Sequence, residues 1–337
     1  MAIPIVKMMT VGILPSPLKV FYYRLRGAKI GKKVKIGMFS VISASHIEIG
    51  DHSKIGTLTF INCKKLVLGK RVKINTMSAI DTGDVFVDDD SIIMEQVVIG
   101  GMLTPRSKIS IGKRVKIFPY SFLNPTEEIF IGDDAGIGGA NYIFTHGSWQ
   151  SILDGYPVSF GPVRIEKGVW FPWRVFVMPN VTVGEYATIG AGSIITKNIP
   201  ARCLAAGSPA KVLREEHEYV KSLSEDEKKT IVKQILIEFV DFLKYKYDKK
   251  ANNINFSEDE HGVLIQFIDK RLIRYTEKFQ SSLKQDALIV FDSEGQSIEG
   301  QKIYFDLLNK KSQFVEDVMW TEIKDFFSRY GIRFELG

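Results

Sequence analysis

Cysteine is scarce in this chain: 2 in 337 residues, Cys63 and Cys203, far apart and in no CxxC pair. That rules against a secreted disulfide scaffold and leaves a reduced, cytoplasmic compartment as the expectation. Long apolar runs are missing too. The most apolar stretch, Met1 to Tyr23, is interrupted by Lys7 and Lys19, is broken by Pro15 and Pro17 and is followed by no small-residue cleavage site. A spanning helix needs roughly 20 continuous apolar residues, so this stretch is neither a signal peptide nor a transmembrane segment. Residues 1–27 read first as a cap over the open end of the domain that begins at Ala28. A second reading is a helix on a membrane surface, since Lys7, Lys19, Arg24 and Arg26 stand beside Met8, Met9, Ile13, Leu14 and Phe21. A large charge imbalance is absent as well. The net charge of +6 suits anionic small molecules such as phosphorylated cofactors and does not indicate nucleic acid. What is present is a 45% hydrophobic share over a length sufficient for two domains with separate cores.

The dominant feature is a rhythm of six. An aliphatic or aromatic residue recurs at Ile30, Ile36, Ile42; Ile49, Ile55, Ile61; Leu68, Ile74, Ile80; Val87, Ile93, Ile99; Ile111, Ile117, Leu123; Ile131, Ile137, Ile143; Ile165, Phe171, Val177; Val183, Ile189, Ile195. All 24 are apolar and 18 are isoleucine, which the chain's composition does not produce by accident. Glycine follows at positions such as 31, 37, 50, 56, 69, 112, 132 and 138, with Asn62, Asn75, Asp81, Asp88 and Asn124 in the same slot. Those residue types tolerate a left-handed backbone, so the slot is expected to be a corner. A period of six fits neither an isolated amphipathic strand nor a helix. It fits one short strand plus one corner, three of which close a triangular coil whose stacked strands bury the isoleucines.

Two departures from the rhythm mark loops. Ile99 to Ile111 carries extra residues around Met102 to Arg106, and Ile143 to Ile165 is a step of 22 where 6 is expected, so about 16 residues from His146 to about Pro162 leave the prism at one corner. Loops projecting from rigid repeats are where binding residues concentrate. This one holds His146, Trp149, Asp154, Tyr156 and Phe160. The glycines of Gly132 to Gly139 fall on the same beat with no helical pattern after them, which removes the context of a nucleotide cradle. His46 and His52 lie four to five coils below His146, roughly 19 to 24 Å at strand spacing, and His217 and His261 lie beyond the repeat. No metal site is expected.

From about Ala28 to Arg214 the chain resembles the hexapeptide-repeat acyltransferases, and within them the galactoside and xenobiotic acetyltransferases and polysaccharide O-acetyltransferases. The most specific residues run from Val169-Trp170-Phe171 through Gly190-Ala191-Gly192-Ser193-Ile194-Ile195-Thr196-Lys197 to Ala206-Gly207-Ser208-Pro209-Ala210-Lys211-Val212-Leu213-Arg214. The resemblance implies a left-handed parallel β-helix of about eight coils that assembles as a homotrimer, and an acyl group carried by acetyl-CoA. It implies a general base in the protruding loop, 24 residues before the tryptophan, which is the spacing from His146 to Trp170. An imidazole suits the removal of a hydroxyl proton near neutral pH. The resemblance further places Asn124 near the acyl thioester, Trp170 and Ala191 along the pantetheine arm, Thr196 and Lys197 at the cofactor, and Lys211 and Arg214 near its phosphates. Pro172-Trp173 stands where the family has glycine and serine, a bulkier cofactor wall than usual.

After Arg214 the rhythm stops. Residues 215–337 read as a small α+β domain of unresolved role: a helix capped at Ser224 and running to about Tyr247, strands at Gly262 to Ile268, Arg271 to Tyr275 and Ala287 to Phe291, and a last helix with Phe314, Val318, Ile323, Phe327 and Tyr330 on one face. The resulting expectation is a cytoplasmic, trimeric, acetyl-CoA-dependent O-acetyltransferase. Its acceptor is a saccharide or glycan-precursor hydroxyl, with Trp149, Asp154 and Tyr156 at the acceptor. N-acetylation of an amino-sugar nucleotide, and a non-catalytic β-helix that binds partners through residues 215–337, are the alternatives.

Overall fold

The structure, a computed structural model, describes residues 4–280, 285–296, 298 and 300–336; residues 1–3 of the amino-terminal segment lie outside the described residues. The chain forms two compact units, Met1–Lys221 and Ser222–Gly337. Glu215 to Lys221 therefore go with the first unit.

In the first unit the six-residue beat becomes a parallel β-helix. Ile30 pairs with Ile49, Ile36 with Ile55 and Ile42 with Ile61, each on the next coil. The stacking gives three sheets of eight, ten and eight strands. Every residue of the 24-member series is buried. At roughly 1.5–3 kcal/mol per fully buried large aliphatic side chain, this core is the main stabilising term. Buried polar side chains complete the corners. Ser40 donates to the Gly56 carbonyl at 2.5 Å and accepts from the Thr59 amide at 2.9 Å, and Ser53 links Gly69 and Val72 in the same way at 2.7 and 3.0 Å. Backbone groups that the turns leave unpaired are thereby satisfied.

The structure corrects the reason for the glycine slot. None of Gly31, Gly37, Gly50, Gly56 or Gly69 has a positive φ. The left-handed residues stand three positions after the buried aliphatic: Lys33, Phe39, His52, Leu58, Arg71, Met77, Asp90, Gln96, Arg114 and Tyr120, with φ between 55° and 64°. The glycines are needed because the next coil passes too close. A Cβ on Gly37 would lie 2.5 Å from the backbone of Gly56, and one on Gly50 would lie 2.5 Å from that of Gly69.

The lower end of the prism is covered by the helix Ser16–Leu25. Ser16 accepts the Ile36 amide at 2.9 Å, the Tyr23 hydroxyl accepts the Ile42 amide at 2.8 Å, and Arg24 donates to the carbonyls of Ile30 and Gly31. The first coil's open strand edges thus find partners.

The second unit is a seven-stranded mixed sheet with the helices Glu225–Lys246 and Val318–Ser328. Ser224 and Glu227 form the capping box. The last helix starts at Val318 because Asp317 caps it, accepting the Met319 amide at 2.7 Å. Phe314, expected on its face, instead precedes it and packs edge-on against Trp320. Among the described residues no helix is long and apolar enough to cross a membrane.

Candidate active site

Each coil turns three corners, and the corner after the third sheet is the one that carries both loops. Here the strand Tyr142–Phe144 leads into Thr145 and His146, one coil above Phe122–Asn124. Thr145 pins the corner: its hydroxyl donates to the Asn124 carbonyl at 2.7 Å and accepts the Glu127 amide at 2.9 Å. The carboxylate of Glu127 is gripped by Arg106 at 2.5 and 2.7 Å, and those hydrogen bonds hold it below the usual carboxylate range. The side chain of Asn124 is buried and its Oδ1 accepts from the Thr126 hydroxyl at 2.7 Å. Thr104, in the shorter loop, donates to the Thr126 carbonyl at 2.8 Å. The two sequence departures therefore serve one place: the shorter loop buttresses the corner from which the longer one leaves.

His146 begins that longer loop in a two-stranded antiparallel ribbon, opposite Phe160. Its ring stacks on Phe160, with centroids 5.8 Å apart and planes 21° from parallel. Nδ1 is buried and finds no partner among the described residues. Trp149 is 95% exposed, Tyr156 is exposed, and Asp154 ends a short exposed turn, Ile152–Asp154. These three stand on the loop away from the packed corner. Of the loop's aromatics it is Phe160 that the structure brings onto His146. Thr196 and Lys197 follow the strand Ile194–Ile195 at the same corner, two coils above, and both are exposed.

Trp170 and Ala191 lie elsewhere. Trp170 opens the second-sheet strand Trp170–Phe171, and its turn, Pro172-Trp173-Arg174, leads into the third sheet at that sheet's opposite edge. The indole of Trp170 covers Gly136, where a Cβ would lie 2.5 Å from Cε3, and meets Phe118 edge-on. Trp173 covers Gly139, where a Cβ would lie 2.3 Å from Cζ3. The bulk that Pro172-Trp173 adds is thus absorbed by a glycine on the coil below. The exposed corner of Ala191 and Gly192 stacks directly above, the Gly192 amide donating to the Trp173 carbonyl at 3.0 Å. Gly192 has φ +72° and open space around it. Lys211 and Arg214, both exposed, sit on the hairpin that ends the second sheet.

One positioning residue escaped the sequence reading. Asn141 is fully buried; its amide donates to the carbonyls of Gly138 at 2.7 Å and Pro172 at 2.9 Å, and its Oδ1 accepts the Val175 amide at 2.6 Å. It stitches together the two turns that carry Gly139 and Trp173. An available signal was register, since Asn141 occupies the slot that serine or threonine fills at 40, 59, 78 and 121.

The arrangement thus has two parts at opposite edges of the third sheet. One edge carries an imidazole on a braced corner; the other is a shallow wall of indoles and bare backbone, with open space at Gly192. That wall suits a slender, partly apolar arm, and Lys211 and Arg214 are exposed cations on the hairpin that ends the second sheet.

No family model matches the chain. Over 54 residues it is 52% identical to a putative acetyltransferase of Staphylococcus aureus (strain COL), covering 16% of this chain and 27% of that protein. Over 54 residues it is 48% identical to the galactoside O-acetyltransferase of Escherichia coli (strain K12), again covering 16% and 27%. The chain therefore spans about a quarter of the length of these curated relatives, 27% in each case. Among solved structures, the polysialic acid O-acetyltransferase OatWY is 18% identical over 58% of this chain and 93% of that one, with a TM-score of 0.42.

Proposed function

We propose that this chain is a hexapeptide-repeat acetyltransferase that transfers an acetyl group from acetyl-CoA to a hydroxyl of a saccharide or glycan precursor, with His146 as general base; the local identity to acetyltransferases supports the reading. The observation that carries the reading is the braced corner. Thr145, Asn124, Glu127 and Arg106 fix the backbone from which His146 projects, so the imidazole is presented from a rigid element at the mouth of a loop. His146 takes the proton of the acceptor hydroxyl as its oxygen attacks the thioester carbonyl. The new C–O bond replaces the C–S bond, and His146 hands the proton to the departing thiolate. Trp149, Asp154 and Tyr156 form the acceptor side. Trp170, Ala191, Lys211 and Arg214 hold the donor.

The donor wall and His146 occupy opposite edges of the third sheet in one chain, which supports a site assembled between neighbouring copies, in a trimer, with His146 of one facing the wall of the next. A second feature favours completion on assembly. For Nε2 to accept a proton, Nδ1 must carry one, and the buried Nδ1 has no acceptor among the described residues. A shift of the 16-residue loop as the neighbouring copy or acceptor arrives supplies it.

The test is thiol release from acetyl-CoA with hydroxyl and amino sugars and nucleotide sugars offered side by side, for wild type and His146→Ala. A hydroxyl acceptor and a loss of about 10² or more in kcat are expected. A loss below about tenfold overturns the base assignment, and turnover confined to amino acceptors overturns the O-transfer reading.

A further inference from the structure

We infer that the amino-terminal end of the first unit docks on an anionic lipid surface. Three independent observations converge there. The first is charge. Eight of the 45 lysines and arginines precede the first acidic residue, Glu48, and the remaining 37 face 39 acidic residues. The whole positive excess of the chain therefore resides in its first 47 residues.

The second is an inverted helix. Ser16–Leu25 turns Lys19, Val20 and Tyr23 inward and leaves Leu18, Phe21 and Leu25 exposed at 53%, 60% and 71%. These three, at i, i+3 and i+7, share one face. Lys19 is 0% exposed, its ammonium donates to the Gly37 carbonyl, and burial pushes its pKa down. A rotation that exposed the lysine and buried the leucines would be the ordinary arrangement for a helix facing water. The preceding helix, Ile5–Thr10, buries nothing and exposes Ile5, Val6 and Met9.

The third is a cavity of about 340 Å³ beside both helices, lined by Lys7, Tyr22, Arg26, Ser43, Ser45 and His46 among others, with no acidic residue in its wall. Lys7 donates to Ser43 at 2.8 Å and the Arg26 guanidinium lies 5.6 Å over the Tyr22 ring. Glu48 nearby is taken up by Lys29 at 2.7 Å and His46 at 3.1 Å. Cations around a recess next to outward apolar side chains match the headgroup and acyl layers of an anionic bilayer. A second copy of the chain is the poorer occupant, because symmetric contact would bring like-charged ends together.

The experiment is co-sedimentation of the full-length protein with vesicles of phosphatidylcholine alone or of phosphatidylcholine mixed with phosphatidylglycerol. Binding is expected only to the mixed vesicles, and it weakens in high salt. Phe21→Glu with Leu25→Glu, and separately Lys7→Glu with Arg26→Glu, each weaken it about tenfold or more while circular dichroism and thermal melting stay those of wild type. No sedimentation with mixed vesicles overturns the inference, as does undiminished binding by both double variants. A double variant of lower mass in solution, from a wild type that ignores vesicles, assigns the face to a second copy instead.

Discussion

At one edge of the third sheet a threonine, an asparagine, a glutamate and an arginine hold a corner with directed hydrogen bonds; at the other, glycines make room for two indoles and leave the backbone bare. The same coil geometry supports both, and the difference matches the two tasks proposed for them. Proton transfer depends on the placement of one nitrogen within a fraction of an ångström, which braced polar contacts provide. Holding a flexible arm needs surface and shape, which aromatic faces and open backbone provide.

Perturbing each edge should therefore break different kinetic parameters. The largest effect is expected from His146→Gln, about 10² or more in kcat with the acetyl-CoA KM nearly unchanged. Gly139→Ala acts on the other edge. Its Cβ would lie 2.3 Å from Trp173, so the indole must swing away, and the expected outcome is a rise of about tenfold in donor KM, equal to a loss of ~1.4 kcal/mol, with kcat preserved. Steady-state kinetics on both variants separate the edges; the same pattern in each would dissolve the distinction.

Smaller effects should come from the bracing. Thr145→Val keeps the shape but leaves the Glu127 amide and Asn124 carbonyl without their partner. Thermal unfolding should show a loss of about 1–3 kcal/mol, with a few-fold lower kcat. The mildest is a pH effect. The Glu127 carboxyl sits below its ordinary value of 4.5 because of Arg106, so the bracing it contributes is fully present above pH 4.5 and is lost as the pH falls through the depressed value. Arg106→Gln removes that contribution at every pH, so amide protection around Glu127 should be weaker at neutral pH and lose its dependence on pH below 4.5, as hydrogen exchange would report.

Most of the first unit was legible because its period is strict and each buried aliphatic has one place to go. The meaning of the glycine slot was not. Left-handed tolerance and close backbone approach both select glycine, and only stacked coils show that Gly37 answers to the second while Phe39 takes the left-handed turn. The His146 corner was readable from the length of the interruption, yet the brace depends on residues from three coils, Arg106, Glu127 and Thr145, which no local pattern connects. Trp173 looked oversized for a cofactor wall because its partner, Gly139, lies 34 residues earlier in the chain. The inverted helix at the amino terminus was equally hidden: periodicity shows which residues share a face, and not which face the fold chooses to bury. In the second unit the helix at Glu225 announced itself through its capping box, whereas the start of the last helix turned on Asp317, one residue among several able to cap.

The claim that the two edges meet between neighbouring copies is tested most directly by subunit mixing. His146→Ala removes the base and Ala191→Trp fills the donor wall, so each variant alone should be inactive. Co-refolded in equal amounts as a trimer, they leave an intact base facing an intact wall at one junction in four. Thiol release should return to about a quarter of the wild-type rate. No recovery in mixed assemblies of confirmed composition would mean that one chain supplies both edges, contradicting the account.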